Sequence, residues 1–254
     1  MNPTTGVLSE AWDAYTKHWK HLLPIALVVY AIVGLASALF TSTLGIIGAL
    51  LASAVSIVGL YLMQGALTEA VADIRDGRAD LSIGDTFRRV SPKLGPIIGA
   101  GLLAGFGIAI GLVLLIVPGL ILLTLWAVII PVIVLENKGV FDSFGRSQEL
   151  VRGHGFPVFG IIVLTFLILF AFNLVLGLIL VPLPGGVAGF FSNLISGTLT
   201  APFIALAWTI LYYRLVGVEG AAPQTSQPPL ATGNEPPTTQ HQQPPSSQQP
   251  PSSA

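Results

Sequence analysis

Six stretches of this chain carry no charged residue: Leu22–Phe40, Leu44–Leu67, Leu94–Ile116, Leu120–Leu135, Phe156–Val181 and Val187–Tyr213. An α-helix rises 1.5 Å per residue, so about 20 apolar residues cross the roughly 30 Å hydrocarbon core of a bilayer. Inside that core every backbone N–H and C=O must be satisfied by the protein itself, and a continuous apolar run does so only as a helix. The expectation is an all-α, polytopic membrane protein of six transmembrane helices. Composition agrees: 53% of residues are hydrophobic and 9% are charged, against about 25% charged in soluble domains.

The basic residues set the topology. Lys17 and Lys20 precede the first run. Arg75, Arg78, Arg88, Arg89 and Lys93 lie between the second and third. Lys138, Arg146 and Arg152 lie between the fourth and fifth, and Arg214 follows the sixth; these are all eleven. The three alternate connections, at Thr41-Ser42-Thr43, Val117-Pro118-Gly119 and Pro182–Gly186, hold none. By the positive-inside rule the basic side is cytoplasmic. The spans then form three tight hairpins, with both termini in the cytoplasm. Ala36-Ser37-Ala38 resembles a signal-peptide cleavage site. The preceding region is long, acidic and aromatic, which favours an uncleaved anchor. The net charge of −1 gives no reason to expect nucleic acid as a partner.

The three cytoplasmic segments share a pattern. Leu8, Ile83 and Val140 are each followed at +2 by an acid (Glu10, Asp85, Asp142) and at +3 by a small residue (Ala11, Thr86, Ser143). An aromatic stands at +4 (Trp12, Phe87, Phe144), and further face positions at +7 and +11. The 4-3-4 spacing is one stripe of a helix, and the acid falls in the first turn, where the helix dipole favours it. This reads as three copies of one unit, a cytoplasmic amphipathic interfacial helix followed by a two-span hairpin. Each copy inserts in the same orientation, as a parallel repeat about the membrane normal. Any interfacial helix wants such a stripe, and Ser147 at a stripe position weakens the third copy. Trp12, Tyr15 and Trp19 are residues of the membrane interface, and the basic residues beside them face lipid headgroups.

Inside the spans, small residues recur along the third (Gly95 to Gly111) and the sixth (Ala188 to Thr200), allowing close helix approach. Pro131 and Pro202 each remove a backbone donor and are expected to kink their helices. No ionisable residue lies in the middle of any span, where coupled transporters usually place one. Gln64, Thr124, Asn173 and Asn193 are the deepest polar groups, and Asn173 is the least expected. A bond to a neighbouring helix and a substrate contact are the two readings of Asn173.

No Gly-rich phosphate loop, His-Glu-x-x-His or Gly-x-Ser-x-Gly occurs. There is no cysteine, and His18, His21, His154 and His241 form no ligand set by spacing; each is expected to be solvated. Glu136 and Glu149 flank the exit of the fourth span, with Arg146 or Arg152 as salt-bridge partners. Nothing signals a cofactor. Residues 219–254 are rich in Pro, Gln and Ser and are expected to be a disordered cytoplasmic tail beside a 1–218 transmembrane domain.

One run of residues resembles a known family. Val117-Pro118-Gly119, Pro131–Glu136, Lys138-Gly139, Phe144, Arg146-Ser147, Glu149-Leu150 and Arg152-Gly153 resemble prokaryotic six-span membrane proteins. These include the membrane domain attached to some glycerophosphoryl diester phosphodiesterases. The resemblance covers about residues 80–180. It implies the six-span architecture and a prokaryotic cytoplasmic membrane. The phosphodiesterase activity of that family resides in a separate soluble domain, whose His-Arg-Gly and paired-Glu signatures are absent here. The residues therefore point away from an enzyme and toward a membrane scaffold or accessory protein acting on lipids or partner proteins. A transporter or lipid-handling protein, with a path between the hairpins near Pro131, Asn173 and Pro202, is the alternative. A third reading, phospholipid-headgroup chemistry, would place Glu136, Glu149 and Arg152 at the interface. The candidate functional positions are Pro118, Gly119, Pro131, Glu136, Arg146, Glu149, Arg152 and Asn173.

Overall fold

The computed structural model describes residues 4–75, 81–182 and 185–221. The Pro/Gln-rich segment from 222 onward lies outside the described residues, as do Arg78 and the Pro184 part of the last connection. Among the described residues all regular structure is helical: α1 (Val7–Arg75), α2 (Ile83–Val90), a 3-10 turn (Ser91–Lys93), α3 (Leu94–Leu114), α4 (Ile116–Leu125), α5 (Ile129–Glu136), α6 (Val140–Val151), α7 (Gly155–Leu180) and α8 (Gly185–Ala221). Five helical stretches among them are long and apolar enough to cross a membrane.

The longest of these is broken twice. At His18 (φ −115°, ψ 17°) and Gly45 (φ 55°, ψ −125°) α1 leaves helical geometry. Only glycine reaches the Gly45 conformation without strain. The chain folds back there: Ser37 and Ser56 meet at 3.4 Å. A Cβ on Gly48 would stand 1.8 Å from the Phe40 carbonyl oxygen, so the turn needs two glycines. The reversal is not at Thr41-Ser42-Thr43, where the sequence suggested it. Those hydroxyls donate back to Ser37 O, Leu39 O and Ala38 O at 2.7–3.1 Å, which keeps the segment helical in apolar surroundings.

The next turn also differs from expectation. Leu115 alone is extended between α3 and α4 (φ −154°, ψ 125°). Val117-Pro118-Gly119 is not the turn but the first turn of α4, where proline loses no intrahelical bond. Gly119 serves close packing instead: a Cβ on Gly111 would lie 2.9 Å from the Gly119 Cα.

The apolar run Leu120–Leu135 is not one helix kinked at Pro131. It stops at Leu125 and restarts at Ile129, and Pro131 is the third residue of the new helix. Short-range bonds from Ala127 N to Thr124 O (3.3 Å) and from Ile129 N to Trp126 O (3.4 Å) cross the break. Pro202, in contrast, sits inside α8, which stays helical across it.

Burial shows how the helices are arranged. Val7, Ala11, Leu22, Ala26, Met63, Leu67, Val132, Val151, Ile162, Leu206, Ile210 and Leu215 belong to one buried cluster. All lie near the charged ends of their helices. Toward the turns the side chains emerge: Ile46 is 83% exposed and Val113 86%. Burial is concentrated toward the charged end, and the turn ends expose most of their apolar side chains.

The three charged segments behave alike. Ala11, Thr86 and Ser143, the +3 residues, are all fully buried. Each +4 aromatic packs on the helix pair that precedes it, taken cyclically. Phe87 lies beside Val29, Val33, Val58 and Gly59 of the two arms of α1. Phe144 meets Trp126, beyond α4, edge-on at 4.9 Å. Trp12 meets Phe203 of α8 at 6.4 Å and lines a groove with Ile168 and Phe172 of α7. The first segment thus closes on the last pair. In α2 the helix start is capped: Asp85 N donates to Ser82 Oγ at 3.1 Å. The Ser82 hydroxyl donates back to the Asp85 carboxylate at 2.6 Å. That bond, helped by Arg88, holds the Asp85 carboxyl below its usual range.

Candidate functional site

At the charged end, three ion pairs tie a long helical stretch to a charged segment, the following one in two cases and, for α8, the first segment of the chain. Near the end of α1, six residues before Arg75, the Glu69 carboxylate takes Lys93 Nζ at 2.8 Å; the same amine donates to Val134 O of α5. At the end of α5, Glu136 receives Arg146 Nε on both oxygens at 3.1 Å, and Tyr212 OH donates to it at 3.0 Å. Near the end of α8, Arg214 pairs with Glu10 in the first turn of α1, and Arg75 reaches the same carboxylate at 2.9 Å. The third pair has the opposite polarity, with the base on the long helix and the acid on the segment. The chain of contacts 69–93–134 and 136–212, beside 214–10–75, places all three at one end of the bundle.

This end brings together Glu136, Arg146 and Glu149, as the sequence placed them. Arg146 approaches Glu149 at 3.6 Å as well, so both carboxylates share one guanidinium. The Glu136–Arg146 pair is only about one-fifth exposed on each side. Such a pair is costly to break from one side, because the survivor is left desolvated. Its geometry is that of an anchor. Arg152 is exposed at the end of α6 and joins no ion pair among the described residues. Among the described residues, no three His, Cys, Asp or Glu side chains converge as a metal site.

Ser147 explains both its own place in the sequence and the break before α5. It is fully buried. Its hydroxyl donates to Leu125 O at 2.8 Å and accepts from Val128 N at 3.4 Å. Leu125 O has lost its helical donor because the ladder is interrupted, and Ser147 supplies a replacement. A serine on an otherwise apolar stripe was the only sign of this, and without the partner 22 residues earlier it read as a defect in the repeat.

Asn173 and Pro118 stand apart. Asn173 donates to Leu169 O at 2.9 Å and accepts from Ser196 of α8 at 2.7 Å, on an outward face. Of its two readings, the helix-to-helix bond is the one made. Pro118 is exposed, and Gly119 is buried against α3. Two histidines are less solvated than expected: His21 Nε2 and His154 Nδ1 are shielded and have no hydrogen-bond partner among the described residues. Partial burial, with Lys17 nearby, holds the His18 imidazole below its usual pKa.

Cavities lie between the helices. One of about 460 Å³ lies between the α1 arms and α8, lined by Tyr30, Ser37, Ser56 and Asn193 among others. Another of about 320 Å³ lies among α1, α3, α4, α5, α7 and α8, lined by Tyr61, Gln64, Trp126, Pro131 and Trp208 among others. A smaller one of about 70 Å³ shares Tyr30 and Met63 with the first and Gln64, Pro131 and Trp208 with the second. The three are neighbouring spaces that share lining residues. Pro131 borders it; Asn173 and Pro202 do not. No family model, curated protein or solved structure matches this chain.

Proposed function

We propose that this chain is a six-span protein of the prokaryotic cytoplasmic membrane that handles a lipid or another amphipathic molecule in the space between its hairpins. In this reading the two arms of α1, then α3 with α4–α5, then α7 with α8, are three hairpins. The segment before the His18 break, α2 and α6 are the cytoplasmic interfacial helices. The placement of all eleven basic residues supports the orientation. The resemblance to the membrane domain of glycerophosphoryl diester phosphodiesterases supports the same architecture without the activity.

The observation that carries the functional part is the row of adjacent cavities. A bundle serving only as a scaffold has no need of internal space lined by hydroxyl, amide and indole groups. Ligand sites, by contrast, are concave, mostly apolar and furnished with a few polar groups. A non-enzymatic scaffold or accessory protein is the second reading. The closed, cross-linked charged end favours it, since that face is built for rigidity.

Two experiments test the proposal. The chain has no cysteine, so single cysteines report topology cleanly. A membrane-impermeant maleimide on intact cells is expected to label Thr43→Cys and Val117→Cys. It should reach Lys17→Cys and Lys138→Cys only after lysis; labelling of Lys138→Cys from outside would overturn the topology. Native mass spectrometry of protein released from lipid nanodiscs is expected to show a retained lipid. A retained protein subunit in its place would transfer support to the scaffold reading.

A further inference from the structure

Resting on that reading, we infer that the cavity around Gln64 takes an uncharged lipid with hydroxyl and ester groups, of the diacylglycerol type, entering sideways between α3 and α7. The first support is the lining. Tyr61, Gln64, Trp126 and Trp208 all face this space. Among the described residues, none makes a side-chain hydrogen bond to these four side chains. Polar groups at such depth need partners, because no bulk water supplies them. Indole N–H and phenol O–H donate, and the amide both donates and accepts. This set matches a ligand offering carbonyl oxygens and a hydroxyl.

The second support is charge. No carboxylate, amine, guanidinium or imidazole lines this cavity or the small one beside it. A phosphate-bearing headgroup would arrive there desolvated and unpaired, which is strongly unfavourable. Gln64 lies five residues before Glu69, Pro131 five before Glu136 and Trp208 six before Arg214. The site therefore sits at one level, about 8 Å inside the ring of ion pairs at 1.5 Å per residue. A headgroup at that level leaves its chains in the apolar part of the bundle toward the turns, where side chains are more exposed.

The third support is the opening. Gly105 of α3 and Phe166 of α7 both line the cavity and are both exposed on the outer face. A Cβ at Gly105 would meet nothing within 4 Å. The mouth thus faces the hydrocarbon of the membrane, which suits an apolar ligand arriving through the bilayer.

The test uses the full chain in phosphatidylcholine nanodiscs with two probes carrying the same diazirine at the ester end of one acyl chain, one a diacylglycerol and one a phosphatidylglycerol. After irradiation, adducts are mapped by peptide mass spectrometry. The diacylglycerol is expected to mark the peptides holding Tyr61–Gln64 and Trp208. The phosphatidylglycerol should mark only outward residues such as Ile46 and Val113. Gly105→Leu, which fills the mouth without a clash at Cβ, should cut interior labelling at least tenfold, and Gly105→Ala should leave it. Gln64→Leu, which keeps the mouth open, should also lower it about tenfold. Equal interior labelling by both probes would overturn the ligand class. Unchanged labelling in Gly105→Leu would overturn the route. If both probes mark outward residues alone, the lipid-handling reading falls together with the site.

Discussion

Ser147→Ala isolates the cost of leaving the helix break unsupported. The side chain is fully buried, so no solvent replaces it. Its removal strands Leu125 O, which now accepts at 2.8 Å, and Val128 N, which donates at 3.4 Å. A buried polar group left unsatisfied costs about 1–3 kcal/mol. The Leu125 bond is short and counts fully; the Val128 bond is at the long limit and counts for less. The expected loss is about 2 kcal/mol. Ser143→Ala is the control on the same helix. It is equally buried, but its hydroxyl donates only to Val140 O, three residues back in α6, a carbonyl the helix ladder also serves. That change should stay within about 0.5 kcal/mol, since alanine recovers helix propensity. Reversible unfolding in mixed micelles gives both values. Hydrogen exchange at the Val128 amide gives the local one, and 2 kcal/mol corresponds to roughly 30-fold faster exchange. Equal destabilisation by the two variants, or unchanged protection at Val128, would refute the role given to Ser147.

Three further outcomes follow from the geometry. Arg146→Met should destabilise by about 2 kcal/mol, between the cost of an exposed and of a buried broken pair; Arg88→Ala, whose side chain is 81% exposed, should shift the unfolding midpoint hardly at all. Gly119→Leu should destabilise by about 1–3 kcal/mol through overpacking, because its Cβ would stand 2.5 Å from Leu112 N; unfolding in micelles at wild-type denaturant would contradict the close α3–α4 contact. The Asp85 carboxyl is held below its ordinary 3.8 by Ser82 and Arg88, so its contribution is fully present above that value. It should fade as the pH falls through the lower folded-state pKa. Amide exchange at the start of α2, corrected for intrinsic rate, should lose protection there in the wild type and show no such step in Asp85→Asn.

The apolar stretches were legible in the sequence because helix length and lipid compatibility depend on a run of residues taken alone. The end of α5 was legible for the same reason, Glu136 being the first charge met, whereas α1 and α8 run past Glu69 and Arg214 to Arg75 and Ala221. The shared pattern of the three segments also showed locally, and the buried Ala11, Thr86 and Ser143 fall where a single helical stripe puts them. What sequence could not decide is which groups meet. Gly45 and not Thr43 turns the chain, because the three hydroxyls found acceptors within their own helix. Leu115 and not Pro118 turns the next, because proline fits a first helical turn and two glycines let α3 and α4 touch. Arg146 takes both glutamates and leaves Arg152 outside, a choice made by the approach of α6 to the end of α5. Ser147 supports a break 22 residues away, and Gln64 borders a space lined by six helices. Local chemistry settled what each segment is; only tertiary contact settled which polar atoms acquired partners and which were left facing a cavity.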